Sequence, residues 1–122
     1  NETPEFFYQV EGDMVLKIIV DGKSQDVAIN EGDIYLLPAK VPHSPQRKAN
    51  TVGLVIEYPR SEGMLDALEW YCENCGTQLY RETFALDNIE TDMPVIFDRY
   101  YSDTKKCTCS NCGTVMDAPN KI

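Results

Sequence analysis

Basic residues and long apolar runs are scarce in this sequence. Only 11 of the 122 residues are Lys or Arg, against 20 Asp or Glu, and the net charge is −9. This acidity argues against a nucleic-acid partner, because phosphate binding needs clustered Lys and Arg. No run of about 18 apolar residues occurs, so we expect no membrane span and no membrane partner. No signal-peptide pattern opens the chain, and we expect a cytoplasmic protein.

Histidine is rarer still, since His43 is the only one. A lone histidine is most often an ordinary surface or core residue. This one lies in the stretch "GDIYLLPAKVPHSPQR", residues 32–47, in which Pro42 and Pro45 flank it closely. Proline fixes the backbone on both sides of the imidazole. The residues around His43 therefore decide whether it is an ordinary or a functional histidine.

The first half of the chain reads as short strands separated by turns. The runs "EFFYQV", "MVLKIIV" and "TVGLVIEY" are rich in aromatic and β-branched residues, and Asp21-Gly22 is a strong hairpin signal. Many short strands at this spacing predict a mainly β sandwich or barrel. The pattern of short β-rich runs ends at the polar segment "RSEG" near residue 60. We therefore predict a barrel domain over residues 1–63 and an extension over residues 64–122.

The extension contains a hairpin and a helix. The segment "LEWYCENCGTQLYRETFAL" looks like a hairpin whose turn is a cysteine pair. Residues 92–102, "DMPVIFDRYYS", predict a short helix with Thr91 as its N-cap and Pro94 in its first turn.

Five cysteines are present, and four of them form two C-x-x-C-G knuckles: Cys72, Cys75, Cys109 and Cys112. This spacing and the odd count suit a metal in a reducing compartment better than a disulfide framework. Four thiolates complete a closed tetrahedral set, which predicts a structural zinc or iron site rather than a redox dithiol. The sequence leaves the choice between zinc and iron open. It also leaves Cys107 as either a bystander or an alternative ligand.

The spacing of Gly32, Pro38 and His43 resembles the second signature motif of the cupin superfamily, in which a strand end points a histidine into a barrel. The sequence departs from that motif at Lys40, where glycine is usual, and at Arg47, where asparagine is usual.

The tail of the first cupin motif, a metal-binding glutamate followed six residues later by glycine, fits Glu5 and Gly12. The resemblance implies a metal bound by Glu5, His43 and a further histidine upstream of Asn1. Two histidines and one carboxylate leave open positions, as is typical of non-haem Fe(II) oxygenases. A chain that truly began at Asn1 would lack one ligand and would be a poor catalyst.

Several longer stretches, "PEFFYQVEGDMVLK", "GDIYLLPAKVPHSPQR", "GLVIE", "GMLDALEWYCENCG" and "CSNCG", resemble the single-cupin form of the 3-hydroxyanthranilate 3,4-dioxygenase family. The resemblance covers nearly the whole chain. It implies a jelly-roll cupin, Fe(II), O2 as co-substrate and a homodimer. The implied reaction is an extradiol-type cleavage of 3-hydroxyanthranilate between C3 and C4, which keeps both oxygen atoms. The implied product, 2-amino-3-carboxymuconate semialdehyde, closes to quinolinate for NAD synthesis.

The same resemblance implies roles for individual residues. His43 carries the iron ligand, Arg47 binds the substrate carboxylate, Glu57 is an active-site acid and Pro45 lines the aromatic pocket. A guanidinium fork matches a benzoate carboxylate, and a strand-end carboxylate can accept a substrate proton. Two alternatives stay open. One is another metal-dependent cupin enzyme, such as an isomerase, decarboxylase or thiol dioxygenase. The other is a non-catalytic cupin, or a four-cysteine hairpin that binds a partner.

Overall fold

A computed structural model describes residues 1–117 of the chain. The chain divides into two compact units, the first running from Asn1 to Glu62 and the second beginning at Gly63. The boundary predicted from the sequence, after residue 63, falls one residue later than this division. The described elements are β1 (Glu5–Glu11), β2 (Met14–Val20), β3 (Lys23–Ile29), β4 (Ile34–Leu37), β5 (His43–Gln46), β6 (Val52–Glu57), β7 (Asp66–Tyr71), β8 (Gln78–Phe84), α1 (Ile89–Tyr101) and α2 (Thr104–Cys107).

The first unit consists of two three-stranded antiparallel sheets with the strand orders β4-β1-β6 and β3-β2-β5. Side chains from both sheets form one buried core: Phe7, Met14, Leu16, Ile18, Ile29 and Leu37. Full burial of such a side chain is worth about 1.5–3 kcal/mol, so this core holds the sheets together. The sheets do not close into a continuous barrel, but the arrangement is cupin-like, and the prediction of a mainly β cupin fold is confirmed.

The hairpin between β2 and β3 turns at the Asp21-Gly22 pair that the sequence indicated. Both residues have positive φ, 51° and 74°, as a two-residue type I′ turn requires. The turn fixes the register of the hairpin from Met14 opposite Ile29 to Val20 opposite Lys23. Met14 and Ile29 thereby reach the core together.

The outward face of the sheet β4-β1-β6 is apolar. Two cross-strand rows cover it: Leu36, Phe6 and Ile56 in one, Ile34, Tyr8 and Leu54 in the other. The four residues on the flanking strands are about half exposed or more, from 48% for Leu54 to 63% for Leu36. A contiguous apolar surface of this kind is typical of a contact site for another protein surface.

The second unit is built on the hairpin β7–β8, whose turn holds the first cysteine pair as predicted. The ring of Trp70 on β7 stacks on Tyr100 of α1 at 4.2 Å between centroids, and the ring of Tyr80 on β8 lies 5.9 Å from both of them. Such aromatic pairs contribute about 0.5–1.5 kcal/mol each beyond their buried area. They fix α1 to the hairpin.

The predicted start of α1 was wrong by one turn. The helix begins at Ile89, and its N-cap is Asn88, whose side chain accepts a hydrogen bond from the Glu90 N–H. The Thr91 hydroxyl instead lies inside the helix and donates to the Asn88 carbonyl at 3.4 Å. Within the part of the chain that the structure describes, no helix is long and apolar enough to cross a membrane.

Candidate functional site

One wall of the candidate site comes from β1 and β6. The buried residues of β1 are Glu5, Phe7 and Gln9, at alternate positions along the strand. The residues directly opposite them on β6 are Glu57, Val55 and Gly53. Residues opposite each other in an antiparallel ladder project to the same face. Glu5 and Glu57 therefore lie side by side at one end of this inward face, and Gln9 and Gly53 lie at the other.

The second wall comes from β2 and β5. His43 and Pro45 lie opposite the buried Ile18 and Leu16, so they share the inward face of their sheet. Strand side chains alternate with a period of two, and Arg47, which directly follows β5, continues that alternation. The "HSPQR" stretch thus lines up three inward residues. Along the extended backbone, His43 and Arg47 are about 13 Å apart.

The imidazole of His43 and the carboxylate of Glu5 converge between the sheets. His43 Nε2 lies 3.2 Å from Glu5 Oε2, and Glu5 is only 6% exposed. His43 Nδ1–H donates to the Val41 carbonyl oxygen at 2.9 Å, which leaves Nε2 facing the carboxylate. The Phe7 ring meets the imidazole edge to face at 6.3 Å and fixes its orientation. The two residues that the sequence named as ligands are therefore in contact.

This contact shifts both protonation equilibria. Burial is the largest single effect and opposes ionisation of Glu5, but the hydrogen bond and charge of His43, together with the hydrogen bond from Asn1, leave the pKa of Glu5 below its usual range. Burial also disfavours the imidazolium, yet hydrogen bonding to Glu5 and to the Val41 carbonyl raises the pKa of His43 above its usual value. A bound cation would take the place of the shared proton.

The pair fits part of a metal site. A ligating histidine normally donates its other ring N–H to a carbonyl or carboxylate, as His43 does to Val41. Imidazole and carboxylate together suit first-row divalent metals such as iron. Among residues 1–117, the one group of three or more His, Cys, Asp or Glu side chains placed to hold an ion is the cysteine group described below. The site between the sheets therefore offers two candidate ligands within the described chain.

Glu57, the predicted active-site acid, is joined to Glu5 by one amide. The Asn1 side-chain Nδ2 donates to Glu5 Oε1 and to Glu57 Oε2, both at 3.2 Å. Arg60 Nη1 lies 3.1 Å from the same Glu57 oxygen. Glu57 is exposed at the strand end, whereas Glu5 is buried. Two carboxylates with different solvation thus face the same end of the region between the two sheets, lined by the inward residues of β1, β6 and β5, which we call the cleft.

Arg47, the predicted carboxylate-binding residue, lies against Gly53 at the opposite end of the cleft. A Cβ at position 53 would come within 2.2 Å of Arg47 Nη1 and within 2.9 Å of Gln9 Oε1. A side chain at position 53 would therefore displace the guanidinium from its place beside β6. Arg47 is otherwise exposed and keeps donors available for an anionic ligand.

The second unit brings together the four predicted cysteine ligands. Their Sγ atoms all lie within 4.8 Å of one another. Cys72 Sγ is 3.6 Å from Cys112 Sγ, and Cys75 Sγ is 3.5 Å from Cys109 Sγ. Tetrahedral zinc–thiolate bonds of about 2.3 Å place sulfur atoms about 3.8 Å apart, so the group fits such an ion.

The two cysteine pairs differ in exposure and in charge stabilisation. Cys72 and Cys109 are buried, whereas Cys75 and Cys112 are exposed. Hydrogen bonding from Thr114 and then from Asn74 lowers the pKa of Cys112 to about 5, and bonding from Thr77 lowers the pKa of Cys75. Both exposed sulfurs thus favour the thiolate that binds metal.

Cys107, whose role the sequence left open, is not part of this group. It is buried, and its Sγ–H donates to the Tyr100 carbonyl oxygen at 3.4 Å. Of the two readings that the sequence allowed, the geometry favours a bystander.

Sequence reasoning missed several residues that shape both sites. Gly53 could have been noticed, because an isolated glycine inside a strand often marks a close approach of another group. The repeated pattern Cys-x-Asn-Cys-Gly-Thr, at residues 72–77 and 109–114, was also visible in the sequence. No sequence signal pointed to Gln9 or to the Val41 carbonyl.

Comparison with known proteins identifies the family to which this chain is similar. The model of the family described as 3-hydroxyanthranilic acid dioxygenase matches residues 1–101. A protein of Xanthomonas campestris pv. campestris named 3-hydroxyanthranilate 3,4-dioxygenase is 50% identical over 121 residues, which are 99% of this chain and 69% of the relative.

Two further relatives carry the same name. The protein of Yarrowia lipolytica is 48% identical over 117 residues, covering 94% of this chain and 68% of the relative. That of Ruegeria pomeroyi is 49% identical over 112 residues, covering 91% and 62%. The family match includes the cleft residues and the first cysteine knuckle, and it ends before Cys109.

Proposed function

This chain belongs to the 3-hydroxyanthranilic acid dioxygenase family, and on that premise we propose that it opens the ring of 3-hydroxyanthranilate with O2. The product is 2-amino-3-carboxymuconate semialdehyde, and both oxygen atoms enter it, so the reaction needs no further reductant. The product closes without the enzyme to quinolinate, a precursor of NAD. The observation that carries the proposal is the cleft with His43 and Glu5 at one end and Arg47 at the other.

We propose that Glu5 and His43 hold Fe(II). The support is the convergence of His43 Nε2 and Glu5 Oε2 and the orienting bond from His43 to Val41. Fe(II), when bound, supplies a redox centre that accepts the substrate's hydroxyl and amine as well as O2.

Glu57 is our candidate for proton transfer. The substrate hydroxyl must lose its proton before the ring becomes electron-rich enough to react. Glu57 lies directly opposite Glu5 across β1 and β6, so its carboxylate is near any group bound beside Glu5. Its exposed position lets it pass the proton to solvent.

Arg47 and Pro45 orient the substrate. The substrate carboxylate lies on the ring next to the amine, and the Arg47 guanidinium can accept it in a two-point contact. Pro45 is between His43 and Arg47 on the same strand face and opposite Leu16, so it contributes an apolar surface for the ring. Binding at both ends of the ring fixes which carbon atoms face the metal.

Replacing Arg47 with alanine should mainly weaken substrate binding. The lost charge-assisted pair is worth about 2–4 kcal/mol, and we expect KM for 3-hydroxyanthranilate to rise about 30-fold or more. Arg47→Lys should recover only part, because an ammonium cannot bind both carboxylate oxygens at once. O2 uptake with 3-hydroxyanthranilate and with an analogue lacking the carboxylate measures both effects.

The wild-type protein should prefer the carboxylated substrate, and Arg47→Ala should not. Lys48→Ala, one residue further along the chain, is the matched control and should behave as wild type. If Arg47→Ala kept the wild-type preference, another residue would hold the carboxylate.

We propose that Cys72, Cys75, Cys109 and Cys112 bind a structural zinc or iron ion. Four thiolates fill a tetrahedral shell, so the site leaves no position for substrate.

Cys109→Ser should lower the stability of the second unit and remove its metal, while the metal between the sheets stays bound. Elemental analysis combined with thermal unfolding checks this. A variant that kept its fold and thiolate-bound metal but lost turnover would give the site a catalytic role.

The protein's partners are also proposed. A homodimer is supported by the two apolar rows on the outward face of β4-β1-β6, which a second copy of the chain would cover. Light scattering of the native protein should give twice the chain mass.

A cytoplasmic location is supported by the cysteines, all of which are free thiols in the structure. The net charge of −9 supports the absence of a nucleic-acid partner.

A further inference from the structure

The two cysteine knuckles have the same local structure. In the first, Cys72 N–H donates to the Thr77 carbonyl and Gly76 N–H donates to the Cys72 carbonyl, both at 2.8 Å. In the second, Cys109 N–H donates to the Thr114 carbonyl at 2.8 Å and Gly113 N–H donates to the Cys109 carbonyl at 2.9 Å. Each knuckle therefore buries its first cysteine and exposes its second one.

Each exposed sulfur has a hydroxyl partner within its own knuckle. Cys75 Sγ lies 3.2 Å from Thr77 Oγ1, and Cys112 Sγ lies 3.1 Å from Thr114 Oγ1. A thiolate that binds metal carries no proton, so the threonine hydroxyl is the donor in both pairs.

The amide partners come from the opposite knuckle. Asn74 Nδ2 donates to Cys112 Sγ at 3.6 Å, and Asn111 Nδ2 donates to Cys75 Sγ at 3.7 Å. The two asparagines thus cross between the knuckles. Each exposed sulfur accepts one bond from its own knuckle and one from the other.

Crossed bonds have a different effect from bonds within one knuckle. A hydrogen bond to a thiolate stabilises its charge and occupies a lone pair that could otherwise attack an electrophile. A bond that comes from the other knuckle also fixes the position of one cysteine pair relative to the other. A tetrahedral ion requires that the two cysteine pairs keep such a fixed relative position. Groups that orient metal ligands typically change metal affinity by about 10–100-fold.

We propose that Asn74 and Asn111 are reciprocal positioning residues, each of which orients and shields the exposed ligand thiolate of the opposite knuckle. Thr77 and Thr114 complete the shell within their own knuckles. The inference rests on the proposed metal site at the four cysteines. It goes beyond that site because it assigns the retention of the metal to residues that are not ligands.

The test uses zinc-loaded protein expressed from its complete coding sequence. Zinc release to a chromogenic chelator is timed, and the cysteines modified first by iodoacetamide are identified by mass spectrometry. Asn74→Ala should speed zinc release about tenfold or more and expose Cys112 to alkylation first. Thr77→Val, in the same knuckle, should instead expose Cys75 first. Asn111→Ala should also expose Cys75 first, although it lies in the other knuckle.

Ser110→Ala is the matched control in the second knuckle and should leave release and alkylation at wild-type values. Two substitutions in one knuckle that expose different cysteines cannot result from simple loosening of that knuckle. Unchanged zinc release in both asparagine variants would overturn the inference while leaving the metal site intact. The same holds if an asparagine variant speeds alkylation of the cysteine in its own knuckle rather than in the opposite one. A wild-type protein that binds no zinc or iron at the cysteines would overturn the metal site and the inference together.

Discussion

Replacement of His43 by alanine should reduce turnover to background and remove the metal that we propose is bound between the sheets. His43 supplies the only imidazole in the 122 residues, and its Nε2 faces Glu5 Oε2 at 3.2 Å. Without it, the described chain offers one buried carboxylate, and a single carboxylate holds Fe(II) weakly. The loss should therefore appear in metal content as well as in rate.

Elemental analysis of purified His43→Ala, together with O2 uptake in the presence of 3-hydroxyanthranilate, measures both effects. Ser44→Ala is the matched control, because Ser44 is the next residue of β5 and its exposed side chain faces the other way. It should keep metal and activity. A His43→Ala protein with wild-type iron and normal turnover would remove His43 from the mechanism.

Replacement of Glu57 by glutamine should lower kcat by about 100-fold or more, with a smaller change in KM. The glutamine keeps the shape of the side chain but cannot accept a proton, and general-base catalysis is typically worth 10²- to 10⁴-fold. Binding should survive, because the groups proposed to hold the substrate are the metal and Arg47. An effect on kcat with little change in KM is the pattern expected for a group that acts in the transition state.

Steady-state kinetics of Glu57→Gln separate the two constants. Glu11→Gln provides the control, since Glu11 is an exposed glutamate on the same sheet at the far end of β1. It should have wild-type kinetics. If Glu57→Gln raised KM and left kcat unchanged, Glu57 would bind substrate rather than transfer a proton.

Much of one wall of the cleft could be predicted from the sequence, because its residues lie close together along the chain. His43, Pro45 and Arg47 occupy alternate positions of one extended stretch, and the period of a strand alone places them on one face. The hairpin around the first knuckle was equally predictable, since two β-rich runs flank it. What the sequence could not show was that Glu57 lies opposite Glu5, because strand register depends on how distant segments pair.

The helix start shows a different limit. Several residues before α1 can cap a helix, and Pro94 suggested that the first turn lies nearby. The structure begins the helix at Ile89 and places Pro94 in its second turn. The Asp92 side chain accepts bonds from the Asp87 and Asn88 N–H groups and so supports the earlier start. Competition between neighbouring caps is decided by such contacts and not by propensity.

Long-range contacts account for the other omissions. The crossing of Asn74 and Asn111 joins segments more than 30 residues apart, and each knuckle read alone gives no sign of it. The close approach of Arg47, which directly follows β5, to Gly53 on β6 joins two different sheets, although only about six residues separate them along the chain. Local pattern indicates which residues are candidates for the chemistry, whereas tertiary structure decides which of them meet.

The measurement that tests the central claim most directly is isotope incorporation with the wild-type protein. Iron-loaded protein is supplied with 3-hydroxyanthranilate under ¹⁸O2. The ring-opened product is trapped, and its ¹⁸O content is measured by mass spectrometry. We expect O2 consumption equal to product formation, with both ¹⁸O atoms in the product. Absence of O2 uptake, or incorporation of a single ¹⁸O atom with the other released as water, would contradict a ring-opening dioxygenase.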